Sequence, residues 1–362
     1  MKGQESISKM DFFQKKDVIG LDIGSSSIKL LEIEQTKDGY RLKNVGIGFL
    51  PSGTIVDGAL KAPDVVTNVI QNLVSNLKVK NKNVATSISG HSVIIKNISL
   101  PTMTEVELED SIKWEAEQYI PFEIEDVNID FQILGENPED DSKINVLLVA
   151  AKLDMINDYT AIIREAGLNT VVMDIDSFAL ENMFEVNHSF EEGETIALID
   201  IGANILNMNV LKNGVSVFTR DVSVGGNRIT AEIQKRKDLS YEAAETLKIG
   251  GHIEGVDYDE IADIVKDVSL PLVVEIKRSL DFFWATFADE QINKIYISGG
   301  CSKSLGFKEI IENRITGVPV EIIDPFANID CSSTNLDPEY LKDIGPLMAV
   351  GVGLALRRIG DK

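Results

Sequence analysis

Between Val18 and Ile33, β-branched residues and leucines flank a short Gly24-Ser-Ser-Ser27 interruption. This pattern predicts an apolar strand, a tight turn and a second strand folded back as a hairpin. The period then changes. Val65, Val66, Val69, Ile70, Leu73, Val74 and Leu77 recur at helical spacing, which predicts a core-facing helix over 64–77 with Asp64 as its cap. From Asn83 to Lys152 the texture differs again, with two strands around Gly90-His91 and a helix opened by Thr104 with Glu107 three residues later. At that spacing the two side chains satisfy two orphan amides reciprocally. The helix carries Leu108, Ile112 and Trp114 to Tyr119 and stops before Pro121, because proline disfavours helical geometry in the residue before it. Strands at 127–134 and 144–151, separated by an acidic loop from Gly135 to Ser142, complete what reads as an inserted subdomain. A helix near 154–166 and a strand at 170–174 lead back toward the first domain.

The strongest organisational signal is an internal echo. Ile19-Gly-Leu-Asp22-Ile-Gly24-Ser-Ser returns as Leu198-Ile-Asp200-Ile-Gly202-Ala-Asn204, each an apolar strand ending in Asp-Ile-Gly before a second strand. The two copies lie too far apart for a solenoid repeat and indicate a duplicated domain with two turns facing each other. A third glycine turn, Tyr296-Ile-Ser-Gly299-Gly300-Cys-Ser, closes a strand and opens a helical pattern over 305–314.

Composition narrows the partners. The chain has 362 residues, 44% hydrophobic and 26% charged, with a net charge of −23, so it can bury ordinary cores while its averaged field repels nucleic acid and anionic lipid. Two cysteines, Cys301 and Cys331, and three histidines support neither a disulfide framework nor a zinc cluster, and point to a reducing compartment. The first residues contain no secretory h-region, and the longest apolar stretch, from Leu347 to Leu356, is far shorter than the roughly 20 residues a spanning helix needs.

The glycine turns carry the candidate chemistry. Backbone amides and hydroxyls of a Gly-Ser-Ser turn can grip one polyphosphate against an unfavourable global field. Asp22 and Asp200, each at a strand end just before a turn, are placed to hold Mg²⁺ through its water shell. Neither turn is a P-loop or a Rossmann fingerprint. Gly351-Val-Gly-Leu354 reads as a small-residue helix surface for packing, His91, His188 and His252 as turn or surface residues, and Glu275 with Arg278 as a helix-surface pair.

Together, Gly20-Leu-Asp-Ile-Gly-Ser-Ser-Ser-Ile-Lys29, Leu100-Pro101, Trp114-Glu-Ala-Glu-Gln-Tyr-Ile-Pro-Phe122 and Gly351-Val-Gly-Leu-Ala-Leu-Arg357 resemble the PilM family of type IV pilus assembly, a branch of the actin, heat-shock chaperone and FtsA ATPase superfamily. The resemblance implies an actin-like, ribonuclease H-like duplicated α/β ATPase fold. Residues 1–16, polar and without a period, read as a flexible N-terminus, and the resemblance divides the rest into subdomain 1A (17–82 and 174–194, with a C-terminal helix 345–359), an inserted FtsA-type subdomain 1C (83–173), 2A (195–230 and 271–344) and 2B (231–270). It also implies ATP and Mg²⁺. Gly24, Ser25, Ser26, Ser27 and Lys29 match the first phosphate loop, Lys29 on its strand facing either the phosphates or solvent, and Gly202, Ala203 and Asn204 match the second. Glu245 and Lys248, whose i, i+3 spacing by itself also reads as a surface ion pair, match the adenosine pair, Gly299 and Gly300 the adenosine turn, and Asp22 and Asp200 the metal site. Asp176 takes the place of the residue that positions the attacking water, as a short carboxylate that implies at most slow hydrolysis.

Three functions compete. The first is a cytoplasmic ATP-binding scaffold of the type IV pilus inner-membrane assembly complex, peripheral to the membrane, that seats the N-terminal tail of a PilN-like membrane protein between 1A and 1C. That reading includes contacts with other platform components and room for a homo-oligomer. The second is a small-molecule kinase of the same superfamily, for which no sugar-binding signature is found. The third is an FtsA-like filament, whose amphipathic membrane tether has no counterpart in the ending Gly360-Asp-Lys362.

Overall fold

The computed structural model describes residues 17–137, 140–334 and 336–361. The N-terminal segment 1–16 lies outside the described residues, as do positions 138 and 139 of the acidic loop.

Strand Ile19–Ile23 pairs antiparallel with Ser27–Thr36, the hairpin predicted from the apolar run and its Gly-Ser turn, and Gly39–Phe49 adds the next antiparallel strand. On its other side Ile19–Ile23 pairs parallel with Asn83–Ile88, which pairs parallel with Asn169–Ile175. The second half repeats this plan. Thr195–Ile201 has an antiparallel hairpin mate, Leu206–Lys212, followed by Val215–Val222, and on its other side the parallel strands Lys294–Ser298 and Val320–Ile322. Each central strand therefore sits between its hairpin mate and a parallel neighbour, buried on both faces. This explains the continuous apolar runs of Ile19–Ile23 and Thr195–Ile201. The duplication predicted from the echo is a duplication of sheet topology.

Two helices, Asp176–Asn187 and Pro338–Leu356, run between the sheets. Leu180, Met183 and Phe184 of one and Met348 and Val352 of the other share a buried cluster with Leu31 and Ile33 of the first sheet and Ile196 and Leu198 of the second. The Gly351-Val-Gly surface is used for packing: a Cβ at Gly20 would fall 2.4 Å from the Gly351 carbonyl oxygen.

Several boundaries differ from the sequence reading. The insertion predicted over 83–173 is narrower, because Asn83–Ile88 and Asn169–Ile175 belong to the first large sheet. Its own sheet is Val93–Pro101, Lys143–Lys152 and Val127–Glu136, so the strands on either side of Gly90-His91 lie in different sheets. A boundary between residues 270 and 271 would cut through one helix, Tyr258–Thr286, which carries Pro271 in its interior. The C-terminal helix starts at Pro338, not at 345, because Asp337 caps it by accepting from the Glu339 amide at 2.9 Å. Asp64 is not a cap: Pro63 opens helix Pro63–Asn76 and Asp64 lies within its first turn.

The insertion helix Glu105–Ala116 has the predicted reciprocal cap, with the Thr104 amide donating to Glu107 at 2.8 Å and the Glu107 amide to Thr104 Oγ1 at 3.3 Å. It ends at Ala116, earlier than expected, in a turn over 117–119. Leu108, Ile112 and Ala116 pack on one face of the insertion sheet with Ile98, Val146 and Leu148. Residues of the opposite face, Ile95, Val149 and Ala151, pack on the core of the first large sheet.

Candidate functional site

The two hairpins bring equivalent positions to one cleft. In the first, Asp22 pairs in register with Lys29; in the second, Asp200 pairs with Asn207. Side chains of residues opposite each other in an antiparallel pair share a face, so each aspartate stands beside a polar partner at the mouth of its own turn. The turns close alike: the Gly24 amide donates to the Ser27 carbonyl at 3.1 Å and the Gly202 amide to the Ile205 carbonyl at 2.9 Å. Lys29 Nζ lies 3.1 Å from Asp22, with both side chains 13% exposed, so it faces the cleft instead of solvent.

A cavity of about 900 Å³ joins the two turns, and all fifteen sequence-predicted site residues line it: Asp22, Gly24, Ser25, Ser26, Ser27, Lys29, Asp176, Asp200, Gly202, Ala203, Asn204, Glu245, Lys248, Gly299 and Gly300. Asp22, Asp176 and Asp200 are close enough that the Asp22 charge raises the pKa of the other two. Burial is the larger cause, pushing Asp176 up to about 7 and Asp200 up to about 6. Hydroxyl donors oppose the shift: Ser87 donates to Asp176 at 2.5 Å and Ser298 to Asp200 at 2.7 Å. Among the described residues no group of three or more His, Cys, Asp or Glu side chains is gathered closely enough to hold a metal ion directly, so a cation here would have to keep much of its water shell.

At the other end of the cavity, Lys248 Nζ contacts Glu245 Oε1 at 2.6 Å and Thr230 Oγ1 at 3.1 Å. The lysine side chain is 5% exposed and the glutamate 33%, so this pair belongs to the cavity wall and not to the outer surface. Gly299 has φ +81°, and a Cβ there would lie 2.4 Å from the Ile201 carbonyl oxygen, so only glycine permits this approach of the third turn to the second hairpin. Cys301 is buried beside this turn, and burial pushes its thiol up to about 11, which keeps it unreactive.

Sequence reasoning missed several residues. Ser298 was legible, since it stands immediately before Gly299-Gly300 and in register beside Asp200. Ser87 was not, because only the parallel pairing of Asn83–Ile88 with Asn169–Ile175 carries it to Asp176. Asp221 also went unnoticed. It accepts from the Gly90 amide at 2.6 Å and from Asn207 Nδ2 at 2.8 Å, tying the start of the insertion to the second sheet. His91 joins that contact, with its ring 2.9 Å from Ser223 Oγ. Glu275 and Arg278 form the expected helix-surface pair at 3.5 Å.

A family model described as type IV pilus assembly protein PilM matches residues 20–359. Among solved structures, a chain of a PilM-PilN type IV pilus biogenesis complex superposes with a TM-score of 0.84 and 29% identity, covering 96% of this chain and 100% of that one. MreB5 of Spiroplasma citri bound to AMPPNP superposes with a TM-score of 0.51 at 14% identity, over 93% of this chain and 94% of its own, a likeness of fold alone. Among curated proteins, cell division protein FtsA of Neisseria meningitidis is 23% identical over 381 residues, 93% of this chain and 90% of the relative. FtsA of Staphylococcus epidermidis is 24% identical over 351 residues, 82% and 72% respectively. The fold is the actin-like ATPase fold. Among the described residues no helix is long and apolar enough to cross a membrane.

Proposed function

Because the chain belongs to the type IV pilus assembly protein PilM family, we propose that it is a nucleotide-loaded scaffold of the pilus inner-membrane assembly complex. It would work on the cytoplasmic side and reach the membrane through its partners. ATP bound between the two hairpins sets the angle of the lobes, and the lobes set the shape of a groove that receives the N-terminal tail of a PilN-like membrane protein. The observation that carries this reading is the convergence of both Asp-Ile-Gly hairpins, the Glu245–Lys248 pair and the Gly299-Gly300 turn on one cavity. The partner is supported by the 29% identical chain solved in a complex with PilN. We propose that the groove runs beside the seam between 1A and 1C, along the packing of Ile95 and Val149 on the first core.

Amides and hydroxyls from Gly24 to Ser27 and from Gly202 to Asn204 would hold the phosphates, with Lys29 supplying the single cation of the first loop. Asp22 and Asp200 would hold Mg²⁺, which neutralises phosphate charge when bound. Glu245 and Lys248 would receive the adenosine. Asp176, bonded to Ser87, would orient the attacking water; as a short carboxylate it would do so slowly, so that binding and release, not turnover, would govern the conformation. Asp221 is the structural link by which lobe angle reaches the insertion.

Calorimetric titration tests the reading. Wild-type protein should bind Mg-ATP, Asp22→Ala and Gly202→Asp should abolish that binding, and a synthetic PilN-like tail peptide should bind with an affinity that depends on nucleotide. Peptide binding identical with and without ATP would reject the coupling, and rapid ATP-dependent phosphorylation of a metabolite would favour a kinase.

A further inference from the structure

One wall of the cavity comes from a helix that lies far along the chain from the phosphate hairpins. Tyr340, Asp343, Ile344 and Leu347 line it at i, i+3, i+4 and i+7 of helix Pro338–Leu356, so a single face of that helix looks into the cavity. Two bonds fix this face against the third glycine turn: the Gly299 amide donates to the Pro346 carbonyl at 2.8 Å, and Lys303 Nζ reaches Asp343 Oδ1 at 2.6 Å. Leu347 lies against Gly300, 4.0 Å from where a Cβ would sit. Going outward, the helix thus presents Leu347 at the glycine turn, Asp343 tied to Lys303, and Tyr340 about one turn beyond.

Tyr340 is 46% exposed, and its ring makes no aromatic or cation contact among the described residues. Ile249, which ends the helix carrying Glu245 and Lys248, is 43% exposed and lines the same cavity. The Lys303 charge is taken up by Asp343, and that of Lys248 by Glu245. This end of the cavity therefore offers a flat ring, an aliphatic side chain and hydrogen-bonding edges, but no uncommitted cation. Such a lining fits an uncharged heteroaromatic ring.

Building on the nucleotide reading, we propose that Tyr340 is a specificity-determining residue of the site: its ring stacks on the base and, with Ile249, selects purines by their larger flat face. The glycine turn and the Lys303–Asp343 bridge hold the helix at the spacing this requires.

The test is calorimetric titration of wild-type, Tyr340→Phe and Tyr340→Ala proteins with Mg-ATP and Mg-CTP, with urea midpoints of the unliganded variants as the check on folding. Tyr340→Ala should bind ATP about tenfold more weakly, the size expected for one lost base stack. Its preference for ATP over CTP should shrink, Tyr340→Phe should behave as wild type, and all three midpoints should coincide. Unchanged ATP affinity in Tyr340→Ala, or equal losses for ATP and CTP, would overturn the proposal. A wild-type protein that binds no ATP would instead sink the nucleotide reading, and with it any role for Tyr340 in base selection.

Discussion

Replacing Gly353 by alanine probes how tightly the helices behind the site are locked. A Cβ at Gly353 would fall 1.7 Å from the Ala179 carbonyl oxygen and 2.5 Å from its carbon. A carbon resting on a carbonyl oxygen needs about 3.3 Å, so helices 338–356 and 176–187 would have to part by about 1.6 Å or deform. Overpacking costs about 1–3 kcal/mol, and the obstacle here is backbone, which cannot rotate away, so we expect the upper end, ~3 kcal/mol. Gly351→Ala is the matched control. Its Cβ would meet Leu31 Cδ1 at 2.5 Å, the end of a side chain that can change rotamer, and should cost ~1 kcal/mol. Urea unfolding followed by circular dichroism compares the midpoints. Mg-ATP titration adds a functional readout, because helix 176–187 begins with Asp176 and helix 338–356 lines the cavity. A Gly353→Ala protein as stable as wild type, or more stable than Gly351→Ala, would refute the reasoning.

Two further predictions follow from buried acids. Burial pushes Glu181 from its ordinary 4.5 up to about 7, with Glu185 and Asp174 adding repulsion and Asn209 Nδ2 donating to it at 3.3 Å. Between those two values the folded chain keeps a proton that the unfolded chain has released, so stability falls as pH rises through this window. Glu181→Gln should lose less stability than wild type between pH 5 and pH 8, and equal losses in urea midpoint would refute the assignment. Asp221→Asn keeps the shape but loses the carboxylate that accepts from Gly90 and Asn207 together, a change of about 1–2 kcal/mol. Hydrogen exchange across residues 88–93 should speed up by about tenfold, and unchanged protection would show that this link carries no strain between insertion and second sheet.

The hairpins were legible because their information is local. Apolar runs on either side of a Gly-Ser turn and the repeated Asp-Ile-Gly define strands and turns, while the pairing of Asp22 with Lys29 is seen only in the register of the folded hairpin. The capped insertion helix was legible for the same reason. The limits of the insertion were not. Asn83–Ile88 reads as a strand in any context, and only its parallel pairing with Ile19–Ile23 reveals which sheet it joins. Pro271 in the middle of helix Tyr258–Thr286 shows the opposite failure, a local helix breaker overridden by packing of Leu272, Val273 and Ile276 into the second core.

What the sequence determined by itself was the duplicated motif and the residue types able to hold a charged phosphate chain, because both depend on neighbours along the backbone. Tertiary structure alone decided that Ser87 meets Asp176, that Asp221 reaches Gly90 and that Tyr340 reaches the cavity holding Glu245. Each joins residues far apart in the chain, brought together by parallel pairing and by two helices packed between sheets, and such contacts leave no periodicity for a linear reading to detect.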